Sequence, residues 1–131
     1  MNDILVGKGD SQVSLLAKYG NRHGLVAGAT GTGKSVSLMV LAEGFSRMGV
    51  PVFMADVKGD VSGLAVAGVS NEKIQARVQQ IGIPDYVNEA CPVTFWDLYG
   101  KKGRPIRTTV SEFGPNLFSR VLELNDTQSG V

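Results

Sequence analysis

The chain has 131 residues, 43% of them hydrophobic, with 13 Lys and Arg against 12 Asp and Glu. That length and composition fit one globular domain with a real core and exclude a disordered tail. The near-balance of charge excludes a whole-molecule field that gathers nucleic acid or an anionic membrane, so any such binding must come from a local patch. Cys91 is the only cysteine, which excludes an internal disulfide and a multi-cysteine metal cluster; a reducing compartment follows, with Cys91 a buried, inert thiol. No apolar run reaches the roughly 18 residues of a spanning helix, and Met1-Asn2-Asp3 lacks the basic start of a secretory signal. The expected location is the cytoplasm, with no membrane partner.

In chain order, Ile4-Leu5-Val6 is a short apolar strand ending at Gly7, and Leu25-Val26-Ala27 is a second, ending where a glycine-rich loop begins. A helix is predicted from about Lys34 to Met48, with Val36, Val40, Leu41, Phe45 and Met48 at helical spacings and Gly49 as its terminator. Val52-Phe53-Met54-Ala55 is a continuous apolar run of the kind found in a parallel strand covered on both faces, and it stops at Asp56. Strand, loop, helix and strand within about 35 residues match a right-handed βαβ unit.

Asn71 to Ile81 is predicted as a polar helix with Asn71 as its cap and Ile74, Val78 and Ile81 on one side. Val93 to Trp96 reads as another strand. Gly100-Lys101-Lys102-Gly103 reads as a hairpin tip, with a second arm from about Arg104 to Val110 that Pro105 marks as an edge. Pro115 favours a helix start, with Leu117, Phe118, Val121, Leu122 and Leu124 forming an apolar side. The fold class is α/β, with a mainly parallel sheet and a small β-hairpin. A doubly wound fold needs more strands than these, so the expectation is a single unit, 1–131, that forms the N-terminal piece of a longer domain.

Gly28-Ala29-Thr30-Gly31-Thr32-Gly33-Lys34-Ser35 fills every fixed position of G-x-x-x-x-G-K-[ST] between an apolar strand and a helix. Successive backbone N–H groups can curl around phosphate oxygens only where glycine permits the torsions and the close approach. The helix that begins near Lys34 directs its free N–H groups and positive dipole end at the same anion. Lys34 adds an ammonium for the β- and γ-phosphates, and the Ser35 hydroxyl is the predicted Mg2+ ligand. The expected ligand is a nucleoside triphosphate with magnesium, foremost ATP.

Asp56, at the carboxyl end of its predicted strand, faces either the nucleotide and its metal waters or only a turn, and both readings stand. Lys58 and Asp60 are more often solvated or mutually paired. Lys101, Lys102, Arg104 and Arg107 cluster beside Trp96 and Tyr99; that pattern fits a nucleic-acid contact, although charge placed for solubility and edge protection is the commoner reason for it. His23, the sole histidine, reads as a packing or positioning residue. Asp97 and Glu112 are too isolated to form a carboxylate pair. No catalytic residue is assigned.

Asn21 through Ser35, followed by Ala55-Asp56-Val57-Lys58-Gly59-Asp60, resembles the HerA/FtsK class of P-loop ATPases. Val93-Thr94-Phe95-Trp96-Asp97-Leu98, Arg107 to Glu112 and Leu122 to Gln128 are similar to segments of its bacterial YjgR-like, HerA-like helicase branch, so the resemblance spans nearly the whole chain. It implies a RecA-like, additional-strand, three-layer ATPase core that assembles into homo-oligomeric, commonly hexameric rings and converts ATP hydrolysis into movement of DNA. The motif carries over to Gly28, Gly33, Lys34 and Ser35. It weakens the magnesium reading of Asp56, because in this class the acidic Walker B strand lies further along the chain. No second strand ending in paired acids follows Asp60, so the resemblance implies an ATP-binding N-terminal part whose hydrolysis needs residues downstream. Two other readings remain open: a small P-loop kinase or phosphotransferase, and a nucleotide-dependent binding switch.

Overall fold

The computed structural model describes residues 3–130; Met1 and Asn2, which enter the signal reading, lie outside them, as does Val131. Two compact units divide the chain between Val93 and Thr94.

In the first unit, β1 (Asp3–Lys8) pairs antiparallel with β2 (Gln12–Leu16), with Ile4 opposite Leu15 and a register shift between Leu5 and Gly7. The apolar signal of Ile4-Leu5-Val6 is thus a strand, but its partner carries no comparable signal. Gln12 to Leu16 mixes polar and apolar residues and has no continuous run to mark it. Helix α1 (Lys34–Arg47) follows the predicted bounds to within a residue. Gly49 ends it in the left-handed conformation at φ 77°, donating to the Ser46 carbonyl at 2.9 Å, as a C-terminal glycine does.

The contact between α1 and β1 is the core of this unit. Ile4 and Ala42 are the most buried apolar residues among those described, at 5% and 7% exposure. Gly44 sits mid-helix, where glycine costs roughly 0.5–1 kcal/mol relative to alanine. A Cβ there would lie 2.6 Å from Ile4 Cγ2 and 2.8 Å from Cγ1, so the missing side chain is the space that Ile4 fills. One residue along the helix, Phe45 packs in the same way on Gly20, where a Cβ would meet the ring at 2.6 Å.

Helix α2 (Glu72–Ile81) begins as predicted, with the Asn71 carboxamide accepting from the Ile74 N–H at 2.9 Å. Its other end is closed by Gly82 at φ 75° and by side chains from the hairpin. Gln12 Nε2 donates to the Ile81 and Gly82 carbonyls at 3.0 and 2.8 Å, and Lys8 Nζ donates to the Gln80 carbonyl at 3.0 Å. A cation and an amide at a helix C-terminus satisfy carbonyls that the helix itself leaves free.

The predicted strands Leu25–Ala27 and Val52–Ala55 are not strands: neither has a ladder partner among the described residues. Leu25 and Phe53 are 89% and 86% exposed. An apolar run becomes a parallel strand only when a neighbour about 4.8 Å away accepts its hydrogen bonds, and the two runs do not pair with each other. The βαβ unit is therefore represented by its helix alone, and the described residues contain no layered parallel sheet.

In the second unit, β3 (Trp96–Asp97) and β4 (Arg104–Pro105) form a two-residue bridge that runs parallel, with Trp96 opposite Arg104. This corrects the predicted antiparallel hairpin, and the reason lies in Asp97. Its carboxylate accepts the N–H groups of Tyr99, Lys101 and Lys102 at 2.9, 2.8 and 2.7 Å, winding the intervening residues around itself. The chain leaves this coil in the direction in which it entered. The expected second arm also stops early. Thr109 and Glu112 form a reciprocal capping box that starts α3 (Val110–Val121). Gly114 (φ 71°, ψ 161°) breaks that helix and Pro115 restarts it, so the predicted start at Pro115 corresponds to the second segment. A further box, Asn125 with Gln128, opens α4 (Asp126–Ser129).

The backbone N–H groups of Lys102 and then Tyr99 hold the Asp97 carboxyl below its ordinary pKa, and the Thr109 N–H and hydroxyl do the same for Glu112. In the acid range the folded chain thus binds fewer protons than the unfolded one. The stabilisation is complete above the usual carboxylate pKa of about 4 and is lost as pH falls through the lower folded-state values.

Two outcomes follow. Gly44→Ala should lower the denaturant midpoint, because overpacking against buried Ile4 costs about 1–3 kcal/mol, more than the helix propensity gained; a higher midpoint would mean that α1 does not rest on β1. The fluorescence of Trp96, the only tryptophan, should show a transition on acidification below about pH 4, absent in Asp97→Asn; an identical profile in the variant would show that Asp97 does not hold the loop.

Candidate phosphate-binding loop

Residues 28–35 run directly into α1. Gly31 and Gly33 have φ values of 82° and 96°, the left-handed region that side chains other than glycine rarely adopt. Gly28 answers a different demand: a Cβ there would sit 2.6 Å from the Thr32 hydroxyl and 3.7 Å from Lys34 Cγ, so the loop closes where no side chain intrudes.

The closure centres on one carbonyl. Ala29 O accepts the Thr32 N–H at 3.3 Å, the Thr32 hydroxyl at 2.7 Å and Lys34 Nζ at 2.8 Å. Lys34, half-buried on the first turn of α1, thereby reaches back across the loop. Gly33 is the N-cap and offers no side-chain acceptor, and no acid occupies the first helical turn. Most helices satisfy their first N–H groups with a Ser, Thr, Asp or Asn cap. Here those N–H groups and the positive end of the helix dipole remain available to an external anion, with an ammonium beside them. A magnesium-bound polyphosphate fits this donor set: amides and Lys34 for phosphate oxygens, and the half-buried Ser35 hydroxyl for a hard cation.

Asp56 stands apart from this arrangement. Oδ1 accepts the Gly59 and Asp60 N–H groups at 2.8 and 3.2 Å, and Oδ2 accepts that of Val61 at 3.2 Å. Both carboxylate oxygens are thus turned into their own loop, which bends at Gly59 (φ 82°). No ion pair joins Asp56 to Lys34, or Lys58 to Asp60, among the described residues; Lys58 and Asp60 are exposed. Of the two readings of Asp56, the turn former is the one whose partners are visible.

His23 is exposed, which leaves it no packing role. Cys91 is half-buried, and burial, reinforced by the nearby Glu43 carboxylate, raises its thiol pKa. It stays protonated and unreactive near neutral pH. Arg47 pairs there with Glu43 at 2.7 Å and Glu89 at 3.4 Å. Asp97 and Glu112, both with lowered pKa values, are committed to backbone amides and make poor proton acceptors. Sequence reading missed the two capping boxes, although Thr109-x-x-Glu112 and Asn125-x-x-Gln128 are legible patterns. Among the described residues, no helix is long and apolar enough to cross a membrane.

A family model described as helicase HerA-like, C-terminal, matches residues 2–131. No curated protein and no solved structure matches the chain. The finer expectation, an N-terminal part of a YjgR-like ATPase, receives no support from the family match.

Proposed function

The chain belongs to the helicase HerA-like C-terminal family, and from that premise we propose that residues 28–35 bind the triphosphate of ATP with Mg2+ as part of an oligomeric, DNA-associated ATPase. The observation that carries this reading is the open start of α1. Within a complete G-x-x-x-x-G-K-S motif, Gly33 caps α1 with no side-chain acceptor, and Lys34 is held 2.8 Å from the Ala29 carbonyl in the same loop.

In this reading the main-chain N–H groups of Gly31 and of 33–35 hold the phosphates, while Lys34 and the Thr32 N–H exchange the Ala29 carbonyl for phosphate oxygens. The Ser35 hydroxyl ligates the magnesium. Bound ATP supplies the transferable phosphoryl group; the protein's part is to position and neutralise it. The surrounding fold we propose for the assembled ATPase is the RecA-like, three-layer α/β core, in which the apolar runs at 25–27 and 52–55 acquire the ladder partners that they lack in this structure. Hydrolysis needs a carboxylate to orient water. Asp56, Asp97 and Glu112 are each bound to backbone amides, so the activating acid comes from outside this set, on the same polypeptide or a neighbouring subunit.

Titration of the full chain with a fluorescent ATP analogue and Mg2+ should give saturable binding. Lys34→Ala should weaken it about tenfold to a hundredfold, the worth of hydrogen bonds to a charged group, with an unchanged far-ultraviolet circular dichroism spectrum. Ser35→Ala should reduce the dependence on Mg2+ while sparing affinity in its absence. Equal affinities in wild type and Lys34→Ala would end the assignment.

A further inference from the structure

Thr32 enters the donor set proposed for ATP only through its main-chain N–H, yet its side chain makes the shortest of the hydrogen bonds that close residues 28–35. The hydroxyl donates to the Ala29 carbonyl at 2.7 Å, against 2.8 Å for Lys34 Nζ and 3.3 Å for the Thr32 N–H. A carbonyl oxygen has two lone pairs, so three donors overfill it, and the two short bonds are the ones that saturate it. A threonine ahead of a helix ordinarily turns its hydroxyl to the free N–H groups of the first turn. This one stands one residue before the Gly33 cap and donates backward instead.

The result is a loop folded on itself. The Thr32 N–H closes a turn over 29–32, with Gly31 at φ 82° in its third position. A phosphate cradle needs successive N–H groups aimed at one centre outside the chain, whereas the Thr32 N–H and the Lys34 ammonium are aimed at an acceptor within it. The Thr32 side chain also lies across the start of the loop, where a Cβ on Gly28 would come within 2.6 Å of the hydroxyl. Thr32 is exposed, so burial does not explain this placement.

From these contacts we propose that the Thr32 hydroxyl is a latch: it holds residues 28–35 closed on the Ala29 carbonyl, and the loop must open before a polyphosphate enters. The latch presupposes that residues 28–35 bind ATP. Nucleotide draws the Lys34 ammonium and the Thr32 N–H away from Ala29, and the hydroxyl, bonded in the closed state, opposes that exchange. The apparent affinity for ATP is then the affinity of the open loop reduced by the fraction of molecules that are open. Deleting the hydroxyl leaves Ala29 O with two donors, so no acceptor is orphaned and the rest of the loop keeps its partners.

The test is stopped-flow binding of the fluorescent ATP analogue with Mg2+ to the full chain and to Thr32→Val, which keeps the branched shape and the N–H. Thr32→Val should bind about twofold to tenfold more tightly, the range of one neutral hydrogen bond. The gain should lie in the association rate, with dissociation unchanged, because the open state is more populated but otherwise the same. Thr32→Ser, which restores the hydroxyl, should match the wild type. Lys34→Ala separates the latch from the site: if it binds as well as wild type, residues 28–35 do not hold ATP and the latch falls with them. If Lys34→Ala loses binding, the site stands, and the latch alone is overturned when Thr32→Val binds equally or more weakly, when its gain lies in slower dissociation, or when Thr32→Ser behaves like Thr32→Val.

Discussion

Ile4 fills the space left by the missing side chain of Gly44, and much of the first unit follows from that approach. The contact brings β1 against α1 at backbone range, and Phe45 on Gly20 adds a second point one residue along the helix. A helix held at two places near its C-terminal half has its N-terminus set in turn, and that N-terminus carries residues 28–35, the proposed phosphate loop. Gly44 and Gly20 therefore support the loop from a distance, by fixing the axis along which its N–H groups point. The hairpin reaches the other helix as well: Gln12 and Lys8 close the C-terminal carbonyls of α2.

Three carboxylates of this chain serve as acceptors for their own backbone. Asp56 gathers three N–H groups, Asp97 another three, and Glu112 caps the helix that it begins. Each is a local device that lets a polar loop fold without a sheet to receive its amides. Asp97 and Glu112, with lowered pKa values, are thereby poor bases, and both oxygens of Asp56 are turned toward its own loop.

Residues 28–35 follow the opposite logic. Their donors converge on a single carbonyl, Ala29, and their helix start has no side-chain cap. A loop closed on one acceptor can open by breaking few bonds, and the ammonium that leaves Ala29 is the group that an arriving phosphate attracts most strongly. Around Asp97 the pattern reverses once more. There the acid accepts three backbone N–H groups while the cations and rings face solvent.

Local grammar was sufficient for some of this. The full phosphate motif, the bounds of α1, the Asn71 cap of α2 and the terminating role of Gly49 depend on residues a few positions apart, so the sequence alone determined them. The Thr109 and Asn125 boxes belong to the same class, legible though unread. Tertiary structure alone decided the rest. Whether the apolar runs at 25–27 and 52–55 find a ladder depends on a neighbour that no local pattern specifies, and β2 became a strand only by pairing with β1. Asp97 turned an expected hairpin into a parallel coil through hydrogen bonds over two to five residues, and Asp56 was drawn into its own loop in the same way. The mid-helix Gly44 looked unfavourable by propensity, and only the position of Ile4, forty residues earlier, gave it a purpose.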